Sequence, residues 1–192
     1  MIALDQEKLC FVCVPKNGTH TIYNHLLIYN GRRVGKYHEF RWRKIPRGSF
    51  GFKRYKTVMV WRDPVDRAVS LYKDIVLREY QNKRKVVNKN SQIIHKAIAE
   101  RCSGLSEFVD YLCEDDETVS NYLFKSQAWW FKKVRPDLII KIENLDLYLH
   151  DLTGKSPSVE HKSADLNVES LILYDQDRRN ILDIWARNDS DF

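Results

Sequence analysis

Three short apolar runs, each leading into helical periodicity, organise this chain. Leu9–Val14 reads as a strand buried on both faces, closed by Pro15-Lys16-Asn17-Gly18. Thr19–Tyr29 follows as a helix, with Ile22, Leu26 and Tyr29 at helical spacing and Asn30-Gly31 as its stop. Residues 33–37 are expected to form a second short strand. Residues 39–56, punctuated by Pro46, Gly48 and Gly51, read as a loop. Thr57–Trp61 is the third strand. Asp63-Pro64 then opens a helix: Asp63 can cap it, Pro64 suits its first position, and Asp66 adds a first-turn acid. Val65, Val69, Tyr72, Ile75 and Val76 give that helix an apolar face. Residues 81–90 are polar and basic and are expected to be a mobile loop. Helical patterns return at 91–101, 105–114 and 120–131. Leu138–Ile142 is the fourth strand, 143–152 a helix ended by Thr153-Gly154, 155–166 irregular, and 168–187 helical. Strands alternating with helices predict an α/β fold with a parallel sheet, and 192 residues predict a single domain over 1–192.

Composition narrows the class. Hydrophobic residues are 43% and charged residues 30% of the chain, which excludes wholesale disorder. No apolar run approaches the roughly 20 residues of a membrane-spanning helix. The first residues lack a signal-peptide pattern. Cys10 and Cys13 lie three apart in a strand, on opposite faces, and read as buried free thiols; with Cys102 and Cys113 the only others, no second cysteine pair has zinc-like spacing. The net charge of +6 is uneven: Arg32 to Lys56 holds ten Lys or Arg and one acid, Glu39. With Tyr37, Phe40, Trp42, Phe50, Phe52 and Tyr55 interleaved, this stretch suits single-stranded nucleic acid, a cleft for a phosphorylated nucleotide and an anionic acceptor, or a solvated loop.

The chemistry concentrates in two strand-to-helix turns, Phe11–Thr21 and Val58–Tyr72. Each gathers backbone N–H groups, a helix N-terminus and a cation, the ingredients of an anion site. Together, Pro15-Lys16-Asn17-Gly18-Thr19-His20-Thr21 and Arg62-Asp63-Pro64-Val65-Asp66-Arg67-Ala68-Val69-Ser70-Leu71-Tyr72 resemble the nucleotide-binding signatures of sulfotransferases that use 3′-phosphoadenosine 5′-phosphosulfate (PAPS). The second segment looks most like the carbohydrate-type branch. The resemblance is strong over 8–30 and 57–75 and looser over 120–152. It implies a parallel-sheet, P-loop-like sulfotransferase fold with helices on both faces. It also implies transfer of a sulfuryl group to a hydroxyl, or an amine, of a carbohydrate or similar acceptor, without a metal. Glycan sulfotransferases of this type usually carry an N-terminal membrane anchor, and the want of one here predicts a cytoplasmic location or a trimmed chain.

The resemblance assigns roles. Lys16 neutralises the leaving phosphate. Asn17, Gly18, Thr19, His20 and Thr21 complete the turn around the 5′-phosphosulfate, with Asn17 where Ser or Thr is common. Arg62 and Ser70, eight apart, hold the 3′-phosphate. Lys162, in His161-Lys162-Ser163, is a further candidate for it. Asp63 and Arg67 are expected to cap and to pair at the surface. The proton acceptor falls at Tyr37-His38-Glu39: His38 titrates near neutrality, and Glu39 is its rival. Glu143 is expected to tie loops together, and Trp129 and Trp130 to pack in the core or line the acceptor cleft. His25 and His150 read as structural or exposed. Two other readings stay open. One is a non-catalytic protein binding nucleic acid or anionic glycan through 32–56, although nucleic acid is the less favoured partner. The other is an atypical P-loop kinase, disfavoured because Lys16 precedes Gly18 and GxxxxGK[ST] is missing.

Overall fold

A computed structural model describes residues 1–34, 55–77, 89–113, 123–158 and 175–185. His38, Glu39, Lys162 and residues 81–88 lie outside these residues, whereas Lys89 and Asn90, expected in the 81–90 loop, begin a helix. The strands are β1 (Ile2–Leu4), β2 (Leu9–Val12), β3 (Arg32–Arg33), β4 (Lys56–Trp61) and β5 (Leu138–Lys141). The helices are α1 (Thr19–Ile28), α2 (Pro64–Tyr72), α3 (Lys89–Arg101), α4 (Leu105–Leu112), α5 (Gln127–Val134), α6 (Leu145–Thr153) and α7 (Asp175–Trp185). A π-helical turn, Lys73–Leu77, extends α2, and a 3-10 turn, Ile142–Asn144, precedes α6.

The sheet order is β3-β1-β2-β4-β5. β2 pairs parallel to β4 and β4 parallel to β5, the α/β pattern expected from the alternation. β1 pairs antiparallel to both β2 and β3, so the sheet is mixed. At the head of β4 the Asp137 carboxylate accepts from the Thr57 N–H at 2.7 Å and the Thr57 hydroxyl at 2.8 Å. These bonds pin the β4–β5 register and hold the Asp137 carboxyl below its usual range.

The chain divides into two compact units. The first, Met1–Arg62 with Trp130–His161, contains the sheet. Its core joins Ile2, Leu4, Phe11, Val58, Val60 and Ile140 to Ile22, Tyr23 and Leu26 of α1 and Leu145 and Leu149 of α6. The alternate strand positions Ala3, Cys10, Val12 and Met59 are buried too, so the sheet is covered on both faces. Burial pushes the Cys10 thiol up to about 11 and the Cys13 thiol up to about 12, which leaves both unreactive. Both are free thiols, as expected. α1 stops as predicted: Asn30 takes φ +66 and the Gly31 N–H returns to the Leu26 carbonyl at 2.6 Å. α6 ends likewise at Gly154, φ +70.

The second unit, Asp63–Trp129 with Lys162–Phe192, is helical where described. Val65, Leu71, Ile75 and Val76 meet Ile98, Leu105, Phe108, Leu112, Phe124 and Ile181 in one cluster. Burying each such side chain contributes about 1.5–3 kcal/mol.

The elements differ from the periodicity at their ends. β2 stops at Val12, because Cys13–Gly18 leave the sheet to form the turn. β3 begins one residue before the strand expected over 33–37, at Arg32, and its described part is Arg32–Arg33; residues 35–37 lie outside the described residues. Of the helix expected over 120–131, the described part begins only at Gln127, since Ser126 caps it there. Arg67 is the clearest correction. Expected at the surface, it is fully buried, with Nη2 donating to the Leu123 carbonyl at 3.3 Å. A long stem and a distant carbonyl brought the guanidinium inside.

Candidate functional site

The turn between β2 and α1 is built from its own carbonyl and amide groups. The Val14 carbonyl accepts from the Asn17 N–H at 3.2 Å and from the Thr19 hydroxyl at 2.8 Å. Lys16 has φ +69 and Gly18 φ +72, while Asn17 between them is not left-handed. Alternating signs of φ turn neighbouring N–H groups toward one concave side. Holding a lysine left-handed costs about 1–3 kcal/mol, the kind of strain that persists only where surrounding contacts impose it. Two contacts impose it here. Arg62, the residue after β4, donates from Nη1 to the Lys16 carbonyl at 2.9 Å. Asn17, fully buried, donates from Nδ2 to the Val60 carbonyl at 2.7 Å. Gly18 is required twice over, by its φ and because a Cβ there would stand 2.6 Å from Leu145 Cδ2.

α1 starts at this turn without a side-chain cap and without a first-turn acid. Its first intrahelical bond runs from the Ile22 N–H to the Gly18 carbonyl at 3.0 Å. The preceding N–H groups and the positive end of the helix dipole therefore belong to the turn. Lys16 is half-buried and His20 exposed beside it. The result is a helix amino end without a side-chain cap in the first unit, an arrangement whose polarity favours an anion.

The structure thus joins the two predicted segments, through Arg62 to the Lys16 carbonyl and Asn17 to the Val60 carbonyl. It also redistributes tasks within the turn. The Asn17 N–H and side-chain amide are both committed internally, and the Thr19 hydroxyl donates to Val14. Asn17 and Thr19 therefore brace the turn. Thr21 is half-buried on the first turn of α1. Asn17 as a strut to β4 was hidden from the sequence, since no local pattern reveals a partner 43 residues away.

The remaining candidates separate. Ser70 is buried on α2, in the second unit. Asp63 caps α2 as expected, its Oδ1 accepting from the Val65 N–H at 2.9 Å and the Asp66 N–H at 3.0 Å. Glu143 is exposed and makes no polar side-chain contact among the described residues. Trp130 is buried, and Trp129 is half-buried. His25 is structural: its Nε2 pairs with the Thr153 hydroxyl at 2.7 Å, joining the ends of α1 and α6, and burial lowers its pKa. Among the described residues no cluster of His, Cys, Asp or Glu is able to hold a metal ion, and no helix is long and apolar enough to cross a membrane.

Comparison with known proteins agrees with this arrangement. Curated proteins and solved structures give no match. Residues 1–153, which contain the whole β2–α1 turn and Arg62, match the model of the Sulfotransferase family. The chain therefore belongs to the sulfotransferase family, and it is an enzyme of sulfuryl transfer.

Proposed function

We propose that this sulfotransferase takes its sulfuryl group from PAPS and delivers it to a hydroxyl, or an amine, of a carbohydrate or similar acceptor. The observation that carries the reading is the Arg62–Lys16 bond, which ties the guanidinium of one segment to the backbone of the other at a helix end without a side-chain cap. A nucleotide with two separated phosphate groups needs a cation at each; a single phosphate does not.

Residues 1–192 act as one catalytic domain in this reading. The turn from Lys16 to Thr21 receives the 5′-phosphosulfate. As the sulfur–oxygen bond to the phosphate breaks and the bond to the acceptor oxygen forms, charge grows on the leaving phosphate oxygen. The Lys16 ammonium stands where it offsets that charge. His38, or Glu39, takes the acceptor proton. Arg62 and Ser70, with Lys162, keep the 3′-phosphate roles that the resemblance implies. Arg62 has a second duty, because the bond that recruits it also fixes the backbone of Lys16. No metal enters: positioning and charge suffice for an in-line displacement of this kind. The carbohydrate acceptor is supported by the Arg62–Tyr72 segment and by the ten bases between Arg32 and Lys56.

Calorimetry with 3′-phosphoadenosine 5′-phosphate against ATP tests the donor. Binding of the bisphosphate at least tenfold tighter than ATP, without magnesium, is the expected result. Equal affinity, or none for either, would overturn the assignment. A screen of hydroxylated acceptors with labelled donor then reads the acceptor class.

A further inference from the structure

One peptide unit of the β2–α1 turn is fixed at both of its polar atoms. The Lys16 carbonyl accepts from Arg62 Nη1 at 2.9 Å, and the Asn17 N–H donates to the Val14 carbonyl at 3.2 Å. A planar peptide held at both ends cannot rotate without losing one bond or the other. The unit joins a left-handed lysine, φ +69, to a residue whose side chain reaches out of the turn. Asn17 Nδ2 donates to the Val60 carbonyl at 2.7 Å, and both residues are buried, Asn17 at 0% and Val60 at 2% exposure.

The place of that bond on β4 gives it a role. The last β2–β4 pair is Val12 with Met59, whereas β4 continues beside β5 through Val60–Ile140 and Trp61–Lys141. Val60 is therefore the first residue of β4 that β2 no longer accompanies. Asn17 supplies a donor there in place of a strand, and a buried carbonyl needs one. The turn is thereby anchored to the strand that pairs on both sides, at Val60, while Arg62 just beyond takes hold of the Lys16 carbonyl. The strain of a left-handed lysine is comparable in size to a single hydrogen bond, so one anchor leaves the conformation barely favoured and two settle it.

We infer that Asn17 is a positioning residue that acts through Lys16: its side-chain amide, bonded to β4, keeps the Lys16 backbone left-handed and so sets the lysine for the 5′ end of the nucleotide. The step to the nucleotide rests on the proposed function, in which Lys16 meets the 5′-phosphosulfate. Asn17 itself needs no contact with the nucleotide, since its amide is committed to Val60.

Calorimetry with two probes tests this role: 3′-phosphoadenosine 5′-phosphate, and adenosine 3′-phosphate, which lacks the 5′ group. Asn17→Ala should weaken the bisphosphate about fivefold or more and leave adenosine 3′-phosphate within about twofold, whereas a general loss of fold would weaken both alike. In a Lys16→Ala background, adding Asn17→Ala should change bisphosphate affinity by less than about twofold, because the residue it acts through is gone. Equal weakening of both probes, the same loss in both backgrounds, or no loss at all would each overturn the inference. A measurement on the wild-type chain holds even where the variants do not fold. The intraresidue amide-to-α-proton nuclear Overhauser effect of Lys16 should be strong, as positive φ requires, both without and with the bisphosphate. A Lys16 that becomes left-handed only on binding would show that Asn17 does not preset it, and would overturn the inference equally. A wild-type chain that binds neither probe would sink the donor assignment and this inference with it; bisphosphate binding with additive losses would sink this inference alone.

Discussion

The β2–α1 and β4–α2 turns look alike in sequence and solve opposite problems. Each leaves a strand and enters a helix within a few residues. α2 fills its own amino end: Asp63 accepts two backbone N–H groups, Pro64 removes one donor, and Asp66 adds an acid. α1 does none of this; Gly18 stands at its cap position and its first turn carries no acid. One helix end is closed by the protein's own carboxylate, whereas the other has no side-chain cap. The second turn instead contributes a side chain, Arg62, and sends it back to the first through the Lys16 carbonyl. In the proposed function, helix polarity serves the nucleotide at one turn and a guanidinium serves it at the other.

The largest effect expected is on catalysis. Lys16→Ala should lower the transfer rate about 10²–10³-fold, the scale of losing one transition-state donor, while the thermal midpoint moves little. A near-normal rate in a single-turnover assay would break the comparison at its first member. Gly18→Val comes next and acts on stability. It places a branched side chain at φ +72 and within 2.6 Å of Leu145 at its Cβ. A loss of about 2–4 kcal/mol, read by chemical denaturation, is expected, together with loss of nucleotide binding. Asp63→Ala should do the reverse of Lys16→Ala. It removes a cap and should cost about 1 kcal/mol of stability, yet leave nucleotide affinity within about twofold. A tenfold affinity loss would show that the α2 end also meets the ligand.

The smallest effect is on pH dependence. Asp5 accepts two bonds from Arg32, at 3.1 and 3.0 Å, and one from the Tyr55 hydroxyl. The Arg32 and Tyr55 bonds lower its carboxyl from 3.8 to about 2. A folded-state pKa below the unfolded value gives stability that is present above about pH 4 and lost as pH falls toward 2. Thermal melts of wild type and Asp5→Asn should therefore differ slightly at neutral pH and converge by pH 2. The difference is small because solvent screens an exposed pair.

Both turns, the strands that feed them and the stops at Asn30-Gly31 and Gly154 were legible from local pattern, because each depends on residues a few positions apart. The Asp63 cap belongs with them. β1 did not show: three apolar residues beside Met1 have no strand signature, and pairing with β2 and β3 creates the strand. Arg67 was misplaced because charged side chains read as exposed until a distant group draws them in.

The order of residues along the chain sufficed to specify an α/β sheet, two anion-competent turns and a sulfotransferase kinship, since these follow from short-range spacing and backbone preference. Folding in three dimensions alone determined that Arg62 holds the Lys16 backbone and that Asn17 braces β4. Those facts join residues far apart in sequence, through contacts that packing creates.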